Sequence, residues 1–260
     1  GEGGGTDAVA AAGLGTKADT PQNIGASGDT NNAYIAGTTV GTYLAELGFN
    51  LDFAPSADLG IVDGNAAGSS SYGAEADTVA SFAAYMQAGL QEQKVTACIG
   101  QFPGIGSSTQ GTKDGMASTD RSAEDFRANE FVAFQNCIDN GMTKMIRVSD
   151  MSAPSLTGDN TPCTLSSAVV TDILRNELNF RGVIVSGAMD QAAITNYYGA
   201  DEAAVMALRA GCDMIYSPEN FETAYNGVLE AVRNGTISEE RINDSLRRIY
   251  RIKYADKLEQ

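Results

Sequence analysis

The feature that most constrains the fold is an alternation. Short runs rich in β-branched and aromatic residues fall at 49–54, 95–99, 144–148, 182–186 and 213–216. Between and around them, apolar residues return every three or four positions over 30–47, 75–92, 122–139, 166–178, 200–210, 219–233 and 238–253. The first pattern predicts strands and the second amphipathic helices. End signals agree: Asp29 or Thr30 before the first long helix and Gly48 after it, Ser166 or Ser167 before another, Gly211 at a C-terminus, and Ser238 opening the last helix. Strands that alternate with helices imply βαβ units and a parallel sheet. The run Gly182-Val183-Ile184-Val185 is apolar on both faces and needs cover on both. Two architectures satisfy this, an open doubly wound sheet and a (β/α)8 barrel. Long polar loops at 55–74, 100–121 and 149–165 follow successive strands and favour the barrel, which builds its site from such loops. No linker, repeat or low-complexity tract divides the chain, so residues 1–260 are read as a single domain.

Composition narrows the chemistry. Acids outnumber bases by 33 to 17, and the resulting charge of −16 repels phosphate backbones and anionic lipid. Nucleic acid is therefore not an expected partner. No apolar run approaches the roughly 20 residues of a membrane span. The chain has no histidine, which excludes a Ser-His-Asp triad, a Cys-His dyad, an HExxH zinc site and a histidine general base. It also has no tryptophan. Cys98, Cys137, Cys163 and Cys212 form no CxxC and match no zinc spacing. Cys98, Cys137 and Cys212 read as small buried hydrophobes, with disulfides left open. Neither GxGxxG nor GxxxxGK[ST] occurs, so no nucleotide, cofactor or metal is expected.

The loops carry a resemblance. Gly48-Phe49-Asn50-Leu51-Asp52-Phe53-Ala54-Pro55-Ser56-Ala57-Asp58 is similar to the G-x-N-x-D-F-A-P-x-x-D stretch of family 3 glycoside hydrolases. Gln101-Phe102-Pro103-Gly104-Ile105-Gly106 resembles that family's H-F-P-G-x-G, and Ser152-Ala153-Pro154 with Thr161-Pro162-Cys163-Thr164-Leu165-Ser166 resembles the segment ahead of its nucleophile strand. Asn179-Phe180-Arg181-Gly182-Val183-Ile184-Val185-Ser186 is similar to F-x-G-V-[IV]-x-[ST]-D, and Ala210-Gly211-Cys212-Asp213-Met214 matches A-G-x-D-M. Order and spacing agree from Glu2 to about Lys253, and the branch resembled is the bacterial β-N-acetylhexosaminidases. The resemblance implies a (β/α)8 barrel and retaining hydrolysis by an aspartate nucleophile and a His-Asp acid/base. The family opens its barrel with two strands ahead of E-G-G. Here Glu2-Gly3-Gly4 stands near the first residue, so those two strands have no sequence here; either the chain is a fragment of a longer protein or the barrel is open, and the exposed edge an open barrel would carry favours the fragment. A cell-surface or extracellular setting follows from the resemblance alone; no leader is read in the chain.

Carried over position by position, the scaffold matches and the chemistry does not. The nucleophile position holds Gly187. The lysine and histidine ahead of F-P-G fall on Gly100 and Gln101, the loop histidine on Lys113 beside Asp114, the arginine of R-S-F-G on Ser70, and a further histidine on Asp150. A glycine cannot form a glycosyl-enzyme, and an amine in a polar loop is a poor replacement for the acid/base. The expected function is therefore a degenerate family 3 barrel that retains at most carbohydrate or small-ligand binding. Candidate ligand contacts are Asp58, Ser70, Gln101, Arg147, Asp150, Ser186, Asp190, Tyr216 and Ser217. Arg147 sits within the apolar run Met145-Ile146-Arg147-Val148, and alternation sets it on the face opposite Asp150. Either it turns outward to the helix layer or it serves the pocket. The alternatives are a working hydrolase with Asp150 or Asp190 as a relocated nucleophile, and an engineered or purely structural barrel.

Overall fold

The computed structural model describes residues 8–255, so Glu2-Gly3-Gly4 lies outside the described residues. The chain divides into two compact units, one of residues up to Thr109 together with Arg121–Arg147, the other of Gln110–Asp120 together with residues from Val148 onward.

Unit 1 contains α1 (Ala8–Ala11), α2 (Pro21–Ala26), α3 (Asn31–Glu46), β1 (Leu51–Asp52), α4 (Ala76–Glu92), β2 (Thr96–Phe102), α5 (Ala123–Ala128), α6 (Glu130–Asp139) and β3 (Met145–Val148), whose last residue falls to unit 2. β1 runs parallel to β2 with Leu51 opposite Thr96 and Asp52 opposite Ala97, and β3 follows β2 in the sheet. The run at 49–54 shortens to Leu51–Asp52: Phe49 is left half exposed at 52%, and beyond Asp52 the pairing with β2 is interrupted until Ser56 bridges Gly100. β2 instead extends past Ile99 to Phe102, carried on by Gly100 N donating to the Pro55 carbonyl at 3.2 Å. The helix expected over 122–139 is two helices: Asn129 leaves the helical region (φ −131°, ψ −76°) between α5 and α6. α3 and α4 meet through glycines. A Cβ on Gly37 would stand 2.3 Å from the Met86 carbonyl oxygen, and one on Gly89 2.4 Å from that of Tyr34. The unit's core is aromatic: Phe102 stacks on Phe131 at 5.5 Å and meets Phe134 edge-on at 5.1 Å.

Unit 2 contains α7 (Pro154–Thr157), a π-helix (Ala168–Glu177), β4 (Val183–Ala188), α8 (Ala192–Thr195), α9 (Ala200–Ala210), β5 (Met214–Tyr216), α10 (Phe221–Arg233) and α11 (Glu239–Lys253). The helix expected over 166–178 is thus wound more widely, and nothing in its residue pattern accounts for the i→i+5 ladder. Ser238 caps α11 by accepting the Arg241 N–H at 3.1 Å. β4 and β5 are parallel, Val185 opposite Met214 and Ala188 opposite Tyr216, with a register irregularity between Val185 and Ala188. Asp213, at the entry to β5, is the keystone. Its carboxylate accepts from Arg175 (2.9 Å), Arg248 (2.9 Å), Ser245 (2.7 Å) and the Ile184 N–H (3.0 Å). Arg175 also donates to the carbonyls of Phe180 and Gly182 at 2.8 and 2.7 Å. One buried acid therefore ties the π-helix, α11 and both strands together.

Candidate functional site

In unit 1 a cavity of about 240 Å³ opens beyond the C-terminal ends of β1 and β2, lined by Phe53, Pro55, Ser56, Asp58, residues 66–70, Gly100, Gln101, Ile105 and Arg147. The chain's local logic builds it. Phe102 is anchored in the aromatic core, so the preceding Gln101 turns to the cavity. Asp58 holds the loops in place. Its Oδ2 accepts from Ser56 Oγ at 2.8 Å and from the Gln101 N–H at 3.2 Å, and its Oδ1 accepts from the Ile105 N–H at 3.0 Å. Arg147 lies with its guanidinium 5.3 Å from the centre of the Phe53 ring. It rests against Gly100, where an added Cβ would lie 3.5 Å from Nε and 3.7 Å from Nη2. Arg147 therefore faces the cavity and not the helix layer. The side chains of Gln101, Ser69 and Ser70 hold no hydrogen bond to another described residue, which leaves donors and acceptors for a ligand.

In unit 2 the chemistry centres on the irregular turn of β4. Ser186 is fully buried, its Oγ donating to the Gly187 carbonyl and accepting the Tyr216 N–H, each at 2.8 Å. The Gly187 N–H donates to Thr164 Oγ1 at 3.0 Å. A Cβ built on Gly187 would fall 1.9 Å from Asp150 Oδ1 and 2.2 Å from its Cγ and Oδ2. The Asp150 carboxylate, on a residue only 3% exposed, thus fills the space a side chain at 187 would enter. Ser217 donates to the exposed Asp190 at 2.8 Å, away from Gly187's own hydrogen bonds. Lys113 and Asp114 are exposed; the Lys113 carbonyl accepts the Ala192 N–H at 3.3 Å. The structure thus brings Asp58, Ser70, Gln101 and Arg147 to one cavity in unit 1. In unit 2 it sets Asp150 against the Gly187 backbone, which Ser186 fastens to Tyr216.

Residue choice from sequence missed Phe53, Ser56 and Ser69 at the cavity. The first two stand inside the quoted motif, which was the available signal; Ser69 had none. It also missed Glu130, the first residue of α6, 2% exposed and paired with Arg121 at 2.6 Å. Burial pushes the Glu130 carboxyl up to about 7, against the lowering influence of Arg121. All four cysteines are buried free thiols, and desolvation pushes each up to about 12.

The model of the glycosyl hydrolase family 3 N-terminal domain matches residues 2–252. The chain belongs to glycoside hydrolase family 3. It is 26% identical over 88% of its length to a β-N-acetylglucosaminidase/β-glucosidase of Cellulomonas fimi, covering 42% of that protein. It is 32% identical over 70% of its length to a β-hexosaminidase of Stenotrophomonas maltophilia, covering 53% of that one. The solved family 3 β-N-acetylglucosaminidase of a Paenibacillus species superposes with a TM-score of 0.90 at 32% identity, over 95% of this chain and 48% of that one. The chain spans about half the length of the curated relatives it matches. The family 3 N-terminal domain is a (β/α)8-type barrel, and five of its strands are present among the described residues. Within this family frame, the cavity of unit 1 holds Gly100 and Gln101, where the resemblance sets the lysine and histidine ahead of F-P-G, and Ser70, where it sets an arginine. Gly187 stands at the position it assigns to the nucleophile.

Proposed function

We propose that this family 3 domain binds a carbohydrate ring in the unit 1 cavity and does not cleave glycosidic bonds by the family's double displacement. The observation that supports the second half is the contact at Gly187. Position 187 not only lacks a carboxylate, but its side-chain space is taken by Asp150. The first half rests on the cavity itself. It is small, one wall is the Phe53 ring, and Gln101, Ser69 and Ser70 have hydrogen-bonding capacity to offer to hydroxyls. The relatives' names make an N-acetylglucosamine-type sugar the first probe. The same reading takes residues 1–260 as one domain.

Calorimetric titration with methyl N-acetyl-β-D-glucosaminide tests binding. Saturable binding that weakens at least about fivefold in Gln101→Ala is expected, from the loss of one ligand hydrogen bond. Hydrolysis of an aryl N-acetyl-β-glucosaminide should not exceed a no-protein control. Clear turnover would overturn the proposal, as would the absence of saturable binding.

The Asp150 contact also favours a second reading, in which Asp150 is a relocated nucleophile. A 2-fluoro glucoside with a dinitrophenolate leaving group separates the two. In the second reading an Asp150 Oδ forms a bond to C1 while the C1–O bond breaks and the phenolate departs with its electron pair. No acid is needed, and the protein gains the mass of a fluoroglycosyl group on the Asp150 peptide. We expect no such gain.

A further inference from the structure

We infer that positions 150 and 187 are coupled through a single carboxylate: Asp150 occupies the place of a side chain at 187, so that position 187 can hold an acid only when position 150 is emptied. The inference goes beyond ligand binding and does not depend on it. Its basis is an overlap that neither backbone can relieve. On one side, Gly187 is fastened through its N–H to Thr164 Oγ1 at 3.0 Å and through its carbonyl to Ser186 Oγ at 2.8 Å. On the other side, the Ser149 carbonyl accepts the Thr164 N–H at 3.0 Å, Ser149 Oγ accepts the Met151 N–H at 3.1 Å, and the Met151 carbonyl accepts the Cys163 N–H at 2.9 Å. Residues 149–151 and 187 are thus tied to the same short segment, 163–164. The only freedom left is rotation of the Asp150 side chain. It has two torsions, and rotation would have to carry a buried carboxylate to another polar place. The register irregularity of β4 lies here as well, between Val185 and Ala188, and such irregularities re-aim the residues they contain.

The consequence is that a single substitution cannot place a carboxylate at 187. Gly187→Asp alone returns a carboxylate to a place that already contains one. Two like charges would then share a buried site, in addition to the steric overlap.

A thermal-unfolding cycle without ligand tests this. Gly187→Ala is expected to lower Tm by about 5 °C or more, the size of an overpacked buried contact in a chain of this length. In Asp150→Gly the same change should cost no more than a degree or two, and the reciprocal exchange Asp150→Gly with Gly187→Asp should melt above Gly187→Asp alone. Asp150→Ser withdraws the carboxylate but keeps a short polar side chain, so Gly187→Ala should cost clearly less there than in the parent protein. This arm reads the coupling even where the Asp150→Gly protein folds poorly. An unchanged Tm for Gly187→Ala, or an equal loss in the parent and Asp150→Gly proteins, would overturn the inference.

Discussion

Asp213→Asn is the most demanding test of how unit 2 is held together. The substitution keeps the shape of the side chain and removes its charge. Arg175 and Asp213 form the buried part of the cluster, their side chains 11% and 0% exposed. Burial already draws the Arg175 guanidinium down to about 10, with Asp213 holding it back up. Removing one partner of a buried pair costs about 3–5 kcal/mol, because it leaves an uncompensated charge out of water. That figure is taken for the Arg175 pair alone; Arg248, at 2.9 Å, is 26% exposed, and Arg241 stands farther off, 3.7 Å from the carboxylate. At roughly 2–4 °C per kcal/mol for a chain of this size, Tm should fall by about 6–20 °C. Urea unfolding at pH 7 gives the free energy directly, provided the slope m is unchanged. Arg247→Ala is the internal control. Arg247 bridges Glu240 and Asp244 at 2.8 and 2.7 Å on an exposed face, and such bridges contribute about 1 kcal/mol or less. Should Asp213→Asn unfold within about 1 kcal/mol of the parent, or no lower than Arg247→Ala, the keystone role assigned to Asp213 would be wrong.

Glu130 gives a pH signature. Its folded carboxyl, at about 7, lies above the unfolded value near 4.3, so its stabilising contribution is complete below pH 4 and is lost as the pH rises through 7. The parent protein should therefore lose on the order of 3 kcal/mol relative to Glu130→Gln between pH 4 and pH 8.5, read as the difference between two urea-unfolding series; parallel curves would refute this. Gly37→Ala should cost about 1–3 kcal/mol, since its new methyl would meet the Met86 carbonyl at 2.3 Å, and a shift in the urea midpoint measures it. The four buried thiols should resist a disulfide reagent at pH 8 in the folded protein and all react once it is unfolded. Rapid reaction of any one of them in the native state would contradict its burial.

What the sequence discloses of this fold, and what it withholds, follows from which signals are local. β4 is legible because Val183-Ile184-Val185 is apolar throughout, and α11 because Ser238 caps a strongly two-faced helix. The break at Asn129 leaves only a faint trace in the sequence, a five-residue step from Phe126 to Phe131 that Ala128 masks, and the backbone angles reveal the change of direction. The facing of Arg147 is hidden for a related reason. All four residues of β3 are buried, so the strand has no polar face from which to count. The site poses the sharper case. Read along the chain, Gly187 is a glycine where the family resemblance sets a carboxylate, and Asp150 an acid where it sets a histidine. Their proximity belongs to neither segment. It arises from the turn in β4 and the anchoring of 149–151 on 163–164, both of which depend on pairing between distant stretches. An eroded site would leave a hollow above a bare glycine. Here the space over Gly187 is filled by a carboxylate from another segment, which joins Gly187 and Asp150 in one arrangement.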